Sequence, residues 1–184
     1  MVNTLDTHKL AHFLAEMNVD PKQHIGYCGT EEKEILHTLL HDFSDLDLSK
    51  SFALAYVNGE IIGALGFDID KESKSAEVWG PFIRDCQNFS MLANDLWERL
   101  QVLVPIEIHT YRFFVNKQNS NVRNFALEKN AIEKGSHFIL EALRQSFHNS
   151  KHKDIVKYND SFKDDFLNYI NILFQIHIIV RKKY

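Results

Sequence analysis

The 184-residue chain has two cysteines, Cys28 and Cys86, too few and too isolated for a disulfide framework. Neither belongs to a CxxC or a Cys/His spacing that would hold zinc, so both read as buried, reduced thiols. No run approaches the roughly 20 apolar residues of a membrane span, and the opening MVNTLDTHKLAHFLAEMNV lacks an apolar core of signal-peptide length. Both absences point to the cytoplasm and away from a membrane. Basic excess is missing too: 21 Lys and Arg face 25 Asp and Glu, giving a formal charge of -4, which removes the electrostatic case for binding nucleic acid. Proline occurs three times, at Pro21, Pro81 and Pro105, and each punctuates a pattern.

What remains is 45% hydrophobic and 12% aromatic residues, enough to bury a core. The clearest pattern is a three-stranded antiparallel meander. Phe52 to Val57 and Glu60 to Ile69 are strand-like runs joined by Asn58-Gly59, a strong hairpin signal. A polar turn, Asp70 to Ser75, leads to a third strand, Ala76 to Ile83, which should bend or bulge at Gly80-Pro81.

Around the meander, Leu5, Leu10, Phe13, Leu14 and Met17 recur at helical spacing and predict a helix over 6–17, capped by Asp6 or Thr7. His24 to Cys28 reads as a short strand, followed by a helix that carries Glu31 and Glu32 in its first turn and Ile35, Leu36, Leu39, Leu40 and Phe43 inward. Met91, Leu92, Leu96, Trp97, Leu100 and Leu103 trace another helix, stopped by Pro105. Then come a strand over Ile106 to Val115, a helix over Asn119 to Asn130 and a strand over Ser136 to Leu143. This order predicts an α+β fold with a central mixed sheet flanked by helices, over residues 1–150.

Residues 151–184 form an appendage, with a strand over Ile155 to Tyr158 and a helix over Ser161 to Phe174 capped by Ser161. The apolar side of that helix, with Phe162, Phe166, Tyr169, Ile170 and Leu173, is expected to pack on the main domain or to make a homodimer.

Over roughly residues 24–145 the order of elements, together with NSNVRNFALEKNA at Asn119 to Ala131, resembles the GNAT-type N-acetyltransferases. Their pattern there is N-x-x-A-x-x-F-Y-x-x-x-G-F; Asn119 takes its Asn, Val122 its small residue and Phe125 its Phe. The resemblance implies acetyl-CoA as cofactor, a small-molecule amine or peptide amine as acceptor, and a cofactor site made from Phe82, Ile83, Arg84, Gln87, Asn88, Phe89, Ser90, Asn119 and Phe125. It also makes Glu77 the candidate general base, against the plainer reading of a solvent-facing strand residue. DIVKYNDSFKDDFLNYINILF resembles the opening strand and helix of a second such domain, as in a tandem protein.

Three positions depart from the family. The cofactor loop, Arg84 to Ser90, has no glycine, and the side chains of Asp85 and Phe89 would stand where phosphate oxygens approach bare backbone. Ala126 replaces the Tyr that protonates the departing thiolate, and Asn130-Ala131 replaces the closing Gly-Phe, altering the usual turn. These departures leave a second reading open: a noncatalytic, degenerate module of the same fold, serving structure or dimerisation. His37 and His41 read as one helix face, His109 and His137 as ordinary core or surface histidines, and no metal site is expected.

Overall fold

The computed structural model describes residues 5–84, 88–137 and 159–167. It divides into two compact units, 1–134 and 135–184. In the first, helices α1 (Thr7–Asn18), α2 (Glu32–His41) and a single turn α3 (Leu48–Ser51) precede strands β1 (Phe52–Val57), β2 (Glu60–Asp70) and β3 (Ser75–Ile83). Helix α4 (Phe89–Leu103), strand β4 (Thr110–Arg112) and helix α5 (Ser120–Glu128) follow.

The four strands form one mixed sheet in the order β1-β2-β3-β4, so the chain is α+β with an open sheet flanked by helices. The meander follows its alternation. Asn58 and Gly59 both have positive φ, 51° and 84°, the twist that a two-residue hairpin turn requires. The expected irregularity at Gly80-Pro81 is present. Ala64 pairs with Phe82 and Gly66 with Trp79, so β3 carries one extra residue there, with Gly80 at φ 106°. A second irregularity shifts the β1–β2 register between Ala55 and Tyr56, which pair with Gly63 and Ile61, so β2 carries the extra residue, Ile62.

Side chains alternate between the faces of this sheet. Phe67 and Val78 face α4, where the Phe67 ring meets Trp97 at 5.0 Å. Trp97 in turn packs against Tyr111, Phe113 and Phe125, which closes that layer. On the opposite face Trp79 meets Phe43, just past α2, at 5.0 Å, and the Phe52 ring lies over Gly66, where a Cβ would come within 2.4 Å of it.

Several expectations need correction. His24 to Cys28 is not a strand; only Ile25 bridges, to Val115. The reason is Asn18, fully buried at the end of α1, whose amide donates to the carbonyls of Ile25 (3.2 Å), Cys28 (2.5 Å) and Gly29 (3.0 Å) while its oxygen accepts from the Ile25 N–H (2.8 Å). One side chain thus satisfies backbone groups that a ladder would otherwise pair. The strand expected over Ile106 to Val115 shrinks to Thr110–Arg112, since its partner on β3 is only Ser75 to Glu77. Met91, Leu103 and Leu40 are exposed rather than buried. The buried stripe of α4 is Phe89, Ala93, Leu96, Trp97 and Leu100, and Met91 lies two residues, about 200°, from its first member.

The helix expected over Asn119 to Asn130 spans Ser120–Glu128, with Asn119 as its cap. Its C-terminus keeps the turn that the Asn130-Ala131 replacement was expected to alter. Asn130 takes φ 61°, its N–H reaches the Leu127 carbonyl at 2.9 Å, and the Ala131 N–H reaches that of Ala126 at 3.0 Å. This is the paired bonding of a glycine-closed helix, with Asn, the side chain most tolerant of left-handed backbone, in the glycine's place. Asn130→Gly should therefore leave stability equal or higher, whereas Asn130→Ala should lower it by about 1 kcal/mol, read from urea midpoints.

In the second unit a short 3-10 turn, Asp160–Phe162, is capped by Asn159 rather than Ser161: the Asn159 side chain accepts from the Ser161 N–H at 2.9 Å. Ser136 and His137 lie in no strand, and the rest of the strand expected over 136–143, with the strand over 155–158 and most of the tail helix, lies outside the described residues.

Candidate functional site

The chemistry-bearing residues gather where β4 meets β3. Register places Asp68 of β2 opposite Glu77 of β3, and Glu77 beside Arg112 of β4, so anion, anion and cation form one row across three strands. The row lies on the sheet face of Trp79 and Phe43, away from α4. Glu77 is half-buried. Its carboxyl is raised above the ordinary value, first by burial and then by the charge of Asp68, with Arg112 opposing. Asp68 is raised too, chiefly by burial, while the Ser44 N–H donates to its Oδ1 at 3.0 Å and favours the ionised form. Arg112 donates to the Ser75 hydroxyl at 2.7 Å.

Tyr27, between α1 and α2, faces the same row; burial and Glu77 raise its phenol and Arg112 opposes. Two residues past Glu77, the buried Trp79 indole N–H has no acceptor among the described residues. Beyond Asp68 a groove of about 470 Å³ is lined by Asp42, Asp45, Asp70 and Glu72, so the surroundings are acidic.

Here β3 and β4 fork. They pair in parallel only over Ser75–Thr110, Ala76–Tyr111 and Glu77–Arg112. Past Arg112 the chain turns to the 24–26 segment instead: the Gly26 N–H donates to the Phe114 carbonyl (2.6 Å) and the Asn116 N–H to that of His24 (3.1 Å). Gly26 is tied to this contact, because a Cβ there would fall 2.2 Å from the Phe114 ring. Among the described residues, no strand pairs with Val78 to Ile83 on the β4 side.

The residues expected to hold a cofactor fall into separate groups. Phe82 and Ile83 are buried at the end of β3. Arg84 is engaged with Glu16 of α1 through two bonds, 2.5 and 2.8 Å, and its guanidinium lies over the Phe13 ring. Gln87 lies outside the described residues, as does Cys86. Asn88 precedes α4 and makes no side-chain cap, so the first-turn N–H groups of Phe89 and Ser90 have no side-chain acceptor from it. Phe89 is buried and Ser90 exposed. Asn119 is buried, with its oxygen accepting from the Val122 N–H (3.1 Å) and its amide donating to the His24 carbonyl (3.3 Å). Phe125 belongs to the aromatic layer around Trp97.

Asp68, Arg112, Tyr27 and Trp79 were not singled out from sequence. The alternation of β2 and β3 marks Asp68 and Glu77 as residues of one face, but only the register brings them opposite. Burial pushes the Cys28 thiol up to about 12, so it is unreactive at neutral pH. Among the described residues no group of three or more His, Cys, Asp or Glu is arranged to hold a metal ion, and no helix is long and apolar enough to cross a membrane. No family model matches the chain, and no curated protein is significantly similar to it.

Proposed function

We propose that the chain is an N-acetyltransferase of the GNAT type, moving an acetyl group from acetyl-CoA to a primary amine. The observation that carries this reading is the fork: two parallel strands that part after three residue pairs, with a carboxylate of raised proton affinity, Glu77, at the parting point. A linear acyl-pantetheine can lie between diverging strands and take backbone bonds from the edge of β3 past Glu77, which pairs with no strand among the described residues. The N-terminus of α4 at Asn88 to Ser90, where Asn88 makes no side-chain cap, suits the cofactor's phosphates through the helix dipole and the N–H groups of its first turn. Arg84 could join them only by exchanging Glu16 for phosphate.

Bound acetyl-CoA would supply a thioester carbonyl activated toward attack. Glu77 would take a proton from the acceptor ammonium, leaving a neutral amine that attacks the thioester carbonyl; the C–N bond forms, the C–S bond breaks, the nitrogen of the adduct gives up its second proton to water, and coenzyme A leaves as the thiolate, which is protonated from solvent. Ala126 offers no proton for that last step. The acidic groove beyond Asp68 favours a cationic acceptor, a small amine or a peptide amine.

The alternative, a noncatalytic module of the same fold, draws on the ion-paired Arg84 and on Asn119 and Phe125, which serve a helix cap and the core. Calorimetric titration of the purified chain with acetyl-CoA separates the two. Micromolar binding is expected; no heat and no thermal stabilisation at millimolar acetyl-CoA would overturn the enzyme reading in favour of the module.

A further inference from the structure

We infer that Asp68 is a positioning residue for Glu77: a carboxylate held by the Ser44 N–H on the neighbouring strand, directly opposite Glu77 and across it from Arg112, that governs when Glu77 can act as a base. As a statement about catalysis this rests on the acyltransfer reading; as a statement about electrostatics it does not.

The geometry has three parts. Cross-strand partners on one face stand about 5 Å apart at Cβ, so Asp68 and Glu77 interact directly, as like charges. Asp68 is fixed in place by the Ser44 N–H, a bond that favours its ionised form while burial opposes it; Ser44 is itself fastened to β2, its hydroxyl accepting from the Ile69 N–H at 3.2 Å. Arg112 flanks Glu77 on its other side and acts in the opposite sense. The groups facing Glu77 are therefore Asp68 from β2, Arg112 from β4 and Tyr27 from the α1–α2 segment, with Ser75 and Trp79 flanking it on β3 and Asp45 behind Asp68. In this arrangement a charge on Asp68 makes ionisation of Glu77 harder, and the two carboxyls titrate as a coupled pair. A base tuned in this way stays closer to neutral pH, where proton uptake from an amine is most effective.

The test is a carbon-detected NMR titration of side-chain carboxyls in the full chain. In the wild type, the Asp68 carboxyl should show a second inflection at the Glu77 midpoint. Asp68→Asn, which keeps an acceptor for Ser44, should move the Glu77 midpoint to lower pH; Arg112→Gln should move it higher; Glu72→Gln, in the nearby groove, should leave it in place. A Glu77 midpoint unmoved by D68N overturns the inference. If D68N does not fold, a wild-type Asp68 curve with no inflection at the Glu77 midpoint does the same. Where acetyl transfer is measurable, the acidic limb of kcat/KM should follow the Glu77 midpoint down in D68N. Shifted titrations without any transfer by the wild type would retain the role of Asp68 and remove the acyltransfer reading.

Discussion

Replacing Asn18 with alanine should cost the fold about 4 kcal/mol, a large part of the roughly 5–15 kcal/mol by which a domain of this size is stable. The side chain makes four bonds to backbone groups of Ile25, Cys28 and Gly29 and is itself fully buried. Alanine would strand the buried carbonyls of Ile25 and Cys28 and the Ile25 N–H, and would release the Gly29 carbonyl at the edge of the site; each buried group costs about 1–3 kcal/mol when some relaxation is allowed. The consequence extends beyond the segment. The same stretch pairs with residues 114–116 through Gly26 and His24, so loosening it frees the chain that leaves β4. Asn18→Asp is a sharper test, because it is isosteric and keeps the acceptor for Ile25. A carboxylate facing three carbonyls should nevertheless be as harmful as alanine. Urea unfolding followed by circular dichroism reads both; midpoints within error of the wild type would show that the bonds contribute little.

Glu77→Gln should divide activity and stability. If Glu77 is the base, kcat for acetyl transfer falls by roughly 100-fold or more, the usual contribution of general-base catalysis. Stability should move the other way. The folded carboxyl is raised above its unfolded value by burial and by Asp68. Its contribution is therefore fully present below the ordinary Glu range and is lost as pH rises through the folded midpoint. Above that midpoint the wild type carries a half-buried charge next to another, and glutamine does not. E77Q should melt at or above the wild-type temperature at neutral pH, and this advantage should vanish in acid. Calorimetry at two pH values checks it; a variant destabilised equally at both would argue that Glu77 is a structural hydrogen-bonding residue.

The sequence was informative wherever a local signal carried the geometry. The bounds of β1 follow from strand alternation and the Asn58-Gly59 turn, and α4 ends at Leu103, just before Pro105, as expected, although the stripe read from the sequence included the exposed Met91 and Leu103 and omitted Phe89 and Ala93. Segment 24–28 was misread because its hydrogen bonds go to one asparagine on the preceding helix, which no periodicity announces. The strand after Pro105 was overextended for a related reason: its length is set by a parallel partner about 35 residues earlier, and that partner is only Ser75 to Glu77. Glu77 could be proposed from a family resemblance. Asp68 and Arg112 could not, since their relation to it exists only in the register of two different pairings.

The bulge of β2 opposite Ala55 and Tyr56, which adds twist to the β1–β2 pair, bears on how molecules of this protein coexist at high concentration. Among the described strands β1 is a margin of the sheet, with Tyr56 and Val57 exposed beyond the register shift. A flat margin would offer its amides as a template to the next molecule. One that twists after four residues offers too short a run for a stranger's strand to register against. Straightening the pair, by deleting Ile62 of β2, would turn a self-limiting border into a seed for intermolecular β-assembly.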